Sequence, residues 1–464
     1  MKAQATDAQA IFPTSRRKMP QMLAFFRAVV VLGLVFIGLI SPGYFSDLTS
    51  TFTPDDDNPF EHLRAHCAHS KPISAQTFVD RQVALARVLH ENGIGAYVAE
   101  PGASATYFAN VSTRQWHTSE RVFLVAISPV VDDENHGNVR ARVSVLAPKF
   151  EEDRARLLGI PSMDPIEYVT WAEEKNPYET LLDTLGNHVG VIAADEAIRL
   201  FVSEGLKDAG RGRLDVKMAP RSIRALRERK GPEELALMRC ANEVTLLAIR
   251  AVRERMYIGI RESTVGQMMS LALGTAGLQN TFALVQFGEN AALPHGSGSD
   301  RVLRADDMVL IDTGGSLHHY ESDVTRTFAL PDSVIPGEHV RIWETVSKVQ
   351  AHAFSVARKG VEARAVDEAA RAYMDDQQAG MSRYFSHRLG HGIGLEGHEA
   401  PYLRRGADNT HRLEAGNAMS DEPGIYMLGK VGVRLEDCFY ISEIGEAVLL
   451  TSGVGGFARD LLHP

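Results

Sequence analysis

MVLIDTGGSLHHYESDVTRTFAL (residues 308–330) reads as an apolar strand, a Gly-containing turn and a returning strand, and its acids decide the reading of the fold. Asp312 ends the run MVLI, and Asp323 opens DVTRTF. Both follow apolar strand sequence, where burying an unpaired carboxylate is costly and a bound cation removes the cost. A second stretch, MSDEPGIYMLGKVGVRLEDCFYIS (419–442), repeats the pattern, with Glu422 in DEPGIY and Glu436 in RLED. The echo points to pseudo-twofold β-hairpins. Between them HRLGHGIGLEGHE (387–399) sets His387, His391 and His398 among glycines, which let backbone and side chains crowd around a small site.

Taken singly, an acid is usually a solvated charge and a lone histidine usually structural. Four carboxylates and an imidazole together suit a hard or borderline divalent pair such as manganese, cobalt or zinc, not copper or an iron–sulfur cluster. Two ions sharing carboxylates would hold a water at lowered pKa, clamp a carbonyl oxygen and stabilise a tetrahedral intermediate.

Working outward, APRSIRALRERKGPEELALMRCANEVTLLAIRAV (219–252) is basic up to Lys230, then turns through Gly231 and Pro232 into Glu233 and Glu234. Proline at a first helical position followed by acids is a helix start. Before it, DRQVALARVLHENG (80–93) has helical spacing, while GAYVAE, RVFLVAIS, RVSVLAP and HVGVIAAD are short apolar runs of strand length. This alternation indicates an α/β domain. Its densest polar–aromatic cluster, Trp116, His117, Glu120 and Arg121, reads as a solvated loop. The chain therefore divides into a basic leader with an apolar segment (1–47), a turn-rich linker (48–75), an N-terminal α/β domain (76–220) and a second domain (221–464).

The charge-free run 28–46, preceded by Arg16, Arg17, Lys18 and Arg27, approaches the ~20 residues a membrane-spanning helix needs. It reads as an anchor with the catalytic part outside or in a lumen, the alternative being a cleaved signal peptide and secretion. A net charge of -10 lacks the basic footprint of a nucleic-acid binder. Cys67, Cys240 and Cys438 have no paired spacing, so they form neither a disulfide framework nor a thiolate zinc site, and a single disulfide stays open.

The motifs IDTG, SDVTRTF, GHGIGLEGHE, EPGIY and GVRLED, in this order, resemble the pita-bread metallopeptidases. These comprise proline aminopeptidases, prolidases and methionine aminopeptidases, with metal-free creatinases as relatives. The resemblance covers about residues 233–445, and the preceding α/β segment looks like the creatinase-type N-terminal domain. It implies a mixed α/β (α+β) fold and two divalent ions, manganese foremost, with cobalt or zinc as substitutes. Asp312 would bind one ion, His391 and Glu422 the other, and Asp323 and Glu436 both. Glu422 would also act as general base, His295 would line the substrate pocket, and His398 would meet the scissile carbonyl or the proline. His387 would complete the histidine ring, and Arg434 would orient a bridging carboxylate. Asp421 departs from the apolar residue usual before this glutamate.

The resemblance implies an Xaa-Pro aminopeptidase attacking with a hydroxide held between the ions, on a proline-containing peptide substrate, in a homodimer. The alternatives are an Xaa-Pro dipeptidase (prolidase), a metal hydrolase of another amide or ester, and a non-catalytic peptide-binding pita-bread protein. A dipeptidase needs a cation for the free carboxylate of proline, and Arg404, Arg405 and Arg412 lie in the right stretch.

Overall fold

In a computed structural model that describes residues 58–132, 138–186, 189–296 and 298–464, the apolar runs become two separate groups of sheets. The first is six-stranded, in the order β4-β3-β2-β1-β5-β6. Its strands are β1 (Ala96–Ala99), β2 (Leu124–Asp132), β3 (Asn138–Pro148), β4 (Glu167–Trp171), β5 (Val191–Ala194) and β6 (Asp215–Met218). β1, β5 and β6 run parallel, and β1 is buried along its whole length. Its short run Ala-Tyr-Val-Ala, without a charged residue, is the pattern of a strand covered on both faces. Trp116 is not solvated: it is 3% exposed, with its ring centroid 4.3 Å from that of Phe123 and the Arg154 guanidinium above it. The stacking and the guanidinium lid make a large aromatic more favourable inside than in water.

The Pro232–Arg253 helix begins where the Gly-Pro-Glu-Glu signal places it, and the Glu234 carboxylate accepts from the Gly231 N–H at 2.8 Å. Phe60 and Leu63 are buried in its core cluster, and Cys67 forms a disulfide with Cys240 on this helix. Cys438 is free and buried.

The second group starts with the antiparallel sheet of β7 (Gln279–Phe287), β8 (Val309–Leu317) and β9 (Tyr320–Phe328). Its β8–β9 turn is not glycine-built: His318 and His319 make it, with φ of 48° and 75°, while Gly314 and Gly315 lie inside β8. A five-stranded sheet follows in the order β11-β10-β12-β15-β16, made of β10 (Gly390–Gly392), β11 (Glu399–Leu403), β12 (Ala418–Asp421), β15 (Asp437–Ile441) and β16 (Ala447–Leu449), while β13 (Gly424–Met427) and β14 (Val431–Arg434) form a two-stranded sheet of their own. The second hairpin is thus broken: β13 pairs β14, β12 pairs β15, and Glu422 and Glu436 sit at the two breaks. An isolated bridge between Thr325 and Glu436 joins β9 to the second break. Arg326, fully buried, locks that junction by donating to the Glu436 carbonyl at 2.7 Å and to Asp437 at 2.8 Å.

The membrane expectation is corrected. No helix among the described residues is long and apolar enough to cross a membrane, and the run 28–46 lies outside them. Even the 22-residue Pro232–Arg253 helix carries Glu233, Glu234, Arg239, Glu243, Arg250 and Arg253, charges that a bilayer centre opposes. The membrane partner, the single-pass topology and the extracellular or lumenal placement built on that run are withdrawn.

Candidate metal centre

β8 and β9 pair Asp312 with Thr325 and Gly314 with Asp323. Side chains alternate along a strand, so Asp312, Asp323 and Thr325 share one face, the two acids forming a diagonal cross-strand pair. The Thr325–Glu436 bridge adds Glu436 to that face, and Thr325 Oγ1 donates to Glu436 Oε2 at 2.6 Å. On the opposite wall His391 stands on β10. A Cβ at neighbouring Gly390 would lie 2.0 Å from the Ser420 carbonyl, so only glycine lets β10 approach β12 this closely. His391 Nε2 lies 3.5 Å from Glu422 Oε1, 3.7 Å from Asp323 Oδ2 and 4.0 Å from Glu436 Oε1.

Potential ligand atoms fall within 4.8 Å of one another in three overlapping sets: Asp312, Asp323 and Glu436; His391, Glu422 and Glu436; and Asp323, His391 and His398. Asp312 Oδ1, Asp323 Oδ1 and Glu436 Oε1 are buried without any hydrogen-bond partner. Bare buried carboxylate oxygens cost several kcal/mol per ion unless a cation or proton compensates. A divalent ion with oxygen and imidazole donors fits this set.

Without a cation, Asp323, Glu422 and Glu436 are pushed toward their protonated forms. Burial, then Asp312, pushes Glu436 up to about 8. Asp323 and Glu422 are also raised well above the usual carboxylate range, by burial first and Glu436 second. Burial, reinforced by His398, lowers His391 to about 3, and burial lowers His387 to about 4, so both rings are neutral and able to ligate or accept.

Arg434 reaches Asp312 rather than Glu436 directly: Nη2 donates to Asp312 Oδ2 at 2.6 Å, Nε to Thr325 Oγ1 at 3.2 Å and Nη1 to the Tyr426 hydroxyl at 3.0 Å. The hydroxyl also lies 2.8 Å from His387 Nε2, so His387 is tied to the acids through Tyr426 and Arg434. His398 packs against His391 with the rings tilted and their centroids 4.0 Å apart. His295 lines the same cavity of about 670 Å³, beside all five acid and histidine candidates and Arg434. Asp421 faces elsewhere: it is 1% exposed and opposite Asp437, and burial and Asp437 raise its pKa.

Several lining or supporting residues escaped the sequence reading. Tyr426 and Thr325 lay inside the motifs EPGIY and SDVTRTF, and Arg388 directly follows His387. Arg371 holds the His387 segment by donating to the Phe385 carbonyl at 2.7 Å while pairing with Asp367. Of the three arginines marked for a carboxylate, Arg404 and Arg405 line the cavity, whereas Arg412 bonds Glu362 and the Gly360 carbonyl.

Buried acids and imidazoles share one cavity with several arginines, and their oxygen and nitrogen donors suit a divalent ion. The model of metallopeptidase family M24 matches residues 236–443. An uncharacterised peptidase of Schizosaccharomyces pombe is 35% identical over 426 residues, spanning 91% of this chain and 91% of that protein. Among solved structures, dipeptidase PepE from Mycobacterium ulcerans superposes with a TM-score of 0.71 at 27% identity, covering 84% of this chain and 99% of that one. The prolidase from Pyrococcus horikoshii gives 0.68 at 25% identity, covering 82% and 100%. The chain belongs to metallopeptidase family M24, and it is a peptidase with acidic and histidine groups that could bind a divalent metal.

Proposed function

We propose that this peptidase is a two-metal Xaa-Pro dipeptidase. One observation carries the reading: Arg388, Arg404 and Arg405 line the cavity that holds Asp312, Asp323, His391, Glu422 and Glu436. Arg404 is already paired with Asp408 at 2.5 Å, which leaves Arg388 and Arg405 to receive the carboxylate of a dipeptide's proline. The order that the sequence suggested, aminopeptidase before dipeptidase, is reversed on this ground, and the resemblance to a dipeptidase and a prolidase supports the reversal.

In this reading Asp312, Asp323, His391, Glu422 and Glu436 would hold the two ions. Manganese is the first choice, with cobalt or zinc compatible with the same donors. Divalent metal in this site supplies a water of lowered pKa and a Lewis acid for the scissile carbonyl. The Glu422 carboxylate accepts the proton of the attacking water and passes it to the leaving proline nitrogen. His398 and His295 meet the substrate carbonyl and the proline side. Arg434 keeps Asp312 oriented through one oxygen and leaves the other bare for ligation.

The test is the pair Arg388→Gln and Arg405→Gln assayed on an Xaa-Pro dipeptide. Loss of the carboxylate partner should raise KM about ten-fold or more with normal metal content. Unchanged KM in both variants contradicts carboxylate capture.

A further inference from the structure

The strand-to-strand loop 394–398 carries His398, yet no described side chain or backbone group hydrogen-bonds its imidazole. The ring packs against that of His391, with centroids 4.0 Å apart. The next residue, Glu399, is 2% exposed at its side chain, and its carboxylate meets Lys230 Nζ, 1% exposed, at 2.7 Å. Lys230 also donates to the carbonyls of Arg227 at 2.8 Å and Glu228 at 3.3 Å, and its own N–H is held by the Gly416 carbonyl at 2.8 Å. The ammonium is therefore fully engaged and fixed.

Two further contacts hold the loop, one from Arg227, whose carbonyl Lys230 also bonds, and one from β9. Arg227 Nη2 pairs with Glu396 at 2.6 Å, and the Gly394 carbonyl accepts from the Glu321 N–H at 2.8 Å. A Cβ on Gly394 would stand 2.5 Å from Lys230 Cε and 2.9 Å from Glu399 Oε1, so the loop closes over the pair only because residue 394 has no side chain. Lys230 lies in the connector between the Arg221–Glu228 helix and the Pro232–Arg253 helix, outside the motifs that carry the metal site. A buried ion pair adds little net stability against a hydrophobic pair of equal volume, but it fixes one geometry.

We propose that Lys230 and Glu399 are positioning residues: their buried ion pair sets the loop that presents His398 to the substrate beside the metal centre. The inference rests on the peptidase reading in which His398 meets the substrate. Lys230 touches no ligand residue, and its effect passes through Glu399 to the adjacent backbone.

The test is a cycle on the metal-loaded full chain, combining the charge-neutral pair Lys230→Met/Glu399→Gln with His398→Ala. His398→Ala alone should lower kcat about ten-fold or more, and the neutral pair alone should lower it similarly with metal content unchanged. Adding His398→Ala to the neutral pair should then cost no more than about two-fold, because the ring is already misplaced. Gly394→Ala, which displaces the pair without removing its charge, should reproduce the same non-additivity and stands in if the neutral pair does not fold. Multiplicative losses in both backgrounds make the pair a general structural element and overturn the proposal. A normal kcat for His398→Ala sinks the substrate role of His398 and this inference together, while a normal kcat for the neutral pair overturns the inference alone.

Discussion

Arg434 and Asp312 meet at 2.6 Å through Nη2 and Oδ2, and this contact leaves Asp312 Oδ1 buried and bare beside the other acids. The guanidinium also donates to Thr325 and Tyr426, and Thr325 in turn bonds Glu436, so one side chain aligns a candidate ligand from each hairpin and the His387 ring. Replacing Arg434 by Met should keep the ligand set but lose its alignment, lowering metal affinity or turnover about 10–100-fold. Metal titration followed by calorimetry checks this; wild-type affinity and turnover would reduce Arg434 to a packing role.

Asp323 belongs to two of the overlapping ligand sets, one with Asp312 and Glu436 and one with His391 and His398, and its Oδ2 lies 3.7 Å from His391 Nε2. Asp323→Asn retains the size and removes the charge. Metal content should fall to less than half of wild type and turnover should be lost by about three orders of magnitude or more. Elemental analysis that finds unchanged metal in the folded variant would remove Asp323 from the ligand set.

The metal-free protein should lose stability with rising pH. Glu436 titrates near 8 in the folded chain, against ~4.3 for an unfolded glutamate. Between those values the native state keeps a proton that the unfolded state has released. The contribution is fully present below ~4 and is lost as pH rises through about 8. A divalent ion replaces the proton, so the rise in melting temperature on adding manganese should be larger at pH ~8 than at pH ~5.5. Melting curves of the chelator-treated chain at both pH values measure it, and an equal or opposite trend contradicts the protonated cluster.

Cys67 and Cys240 close a loop with a sequence separation of 173. Cross-linking a loop of that length restricts the unfolded chain by up to about 5 kcal/mol in the chain-entropy account. Cys67→Ser should therefore lower the melting temperature while leaving kcat unchanged, since the bond lies on the Pro232–Arg253 helix and outside the cavity lining. An unaltered melting temperature would mean that burial of Phe60 and Leu63 alone holds this segment.

How far the sequence reveals the site depends on which interaction places each residue. Asp312 and Asp323 are legible because a charge within apolar, period-two sequence demands compensation, and the glycines around His391 announce close approach. Glu422 and Glu436 were legible as acids but not as residues at strand breaks, because the splitting of the hairpin into β13–β14 and β12–β15 depends on pairing with β9. Arg371 and Asp367 sit one helical turn apart on a surface-like pattern, and only tertiary packing aims them at the His387 segment. Nothing local separates Arg405 from Arg412, whose partners Glu362 and Gly360 come from a distant loop. The turn at His318–His319 is not legible in the sequence, because glycine is the usual occupant of left-handed backbone and here both glycines serve the strand instead.

The measurement that tests the central claim most directly is hydrolysis by the manganese-loaded full chain of an Xaa-Pro dipeptide, its proline amide and a longer Xaa-Pro peptide. A two-metal dipeptidase that captures the proline carboxylate should cleave the free dipeptide with a kcat/KM about ten-fold or more above both others, and should lose that activity to a chelator. Better cleavage of the longer peptide, or equal cleavage of the amide, would contradict it.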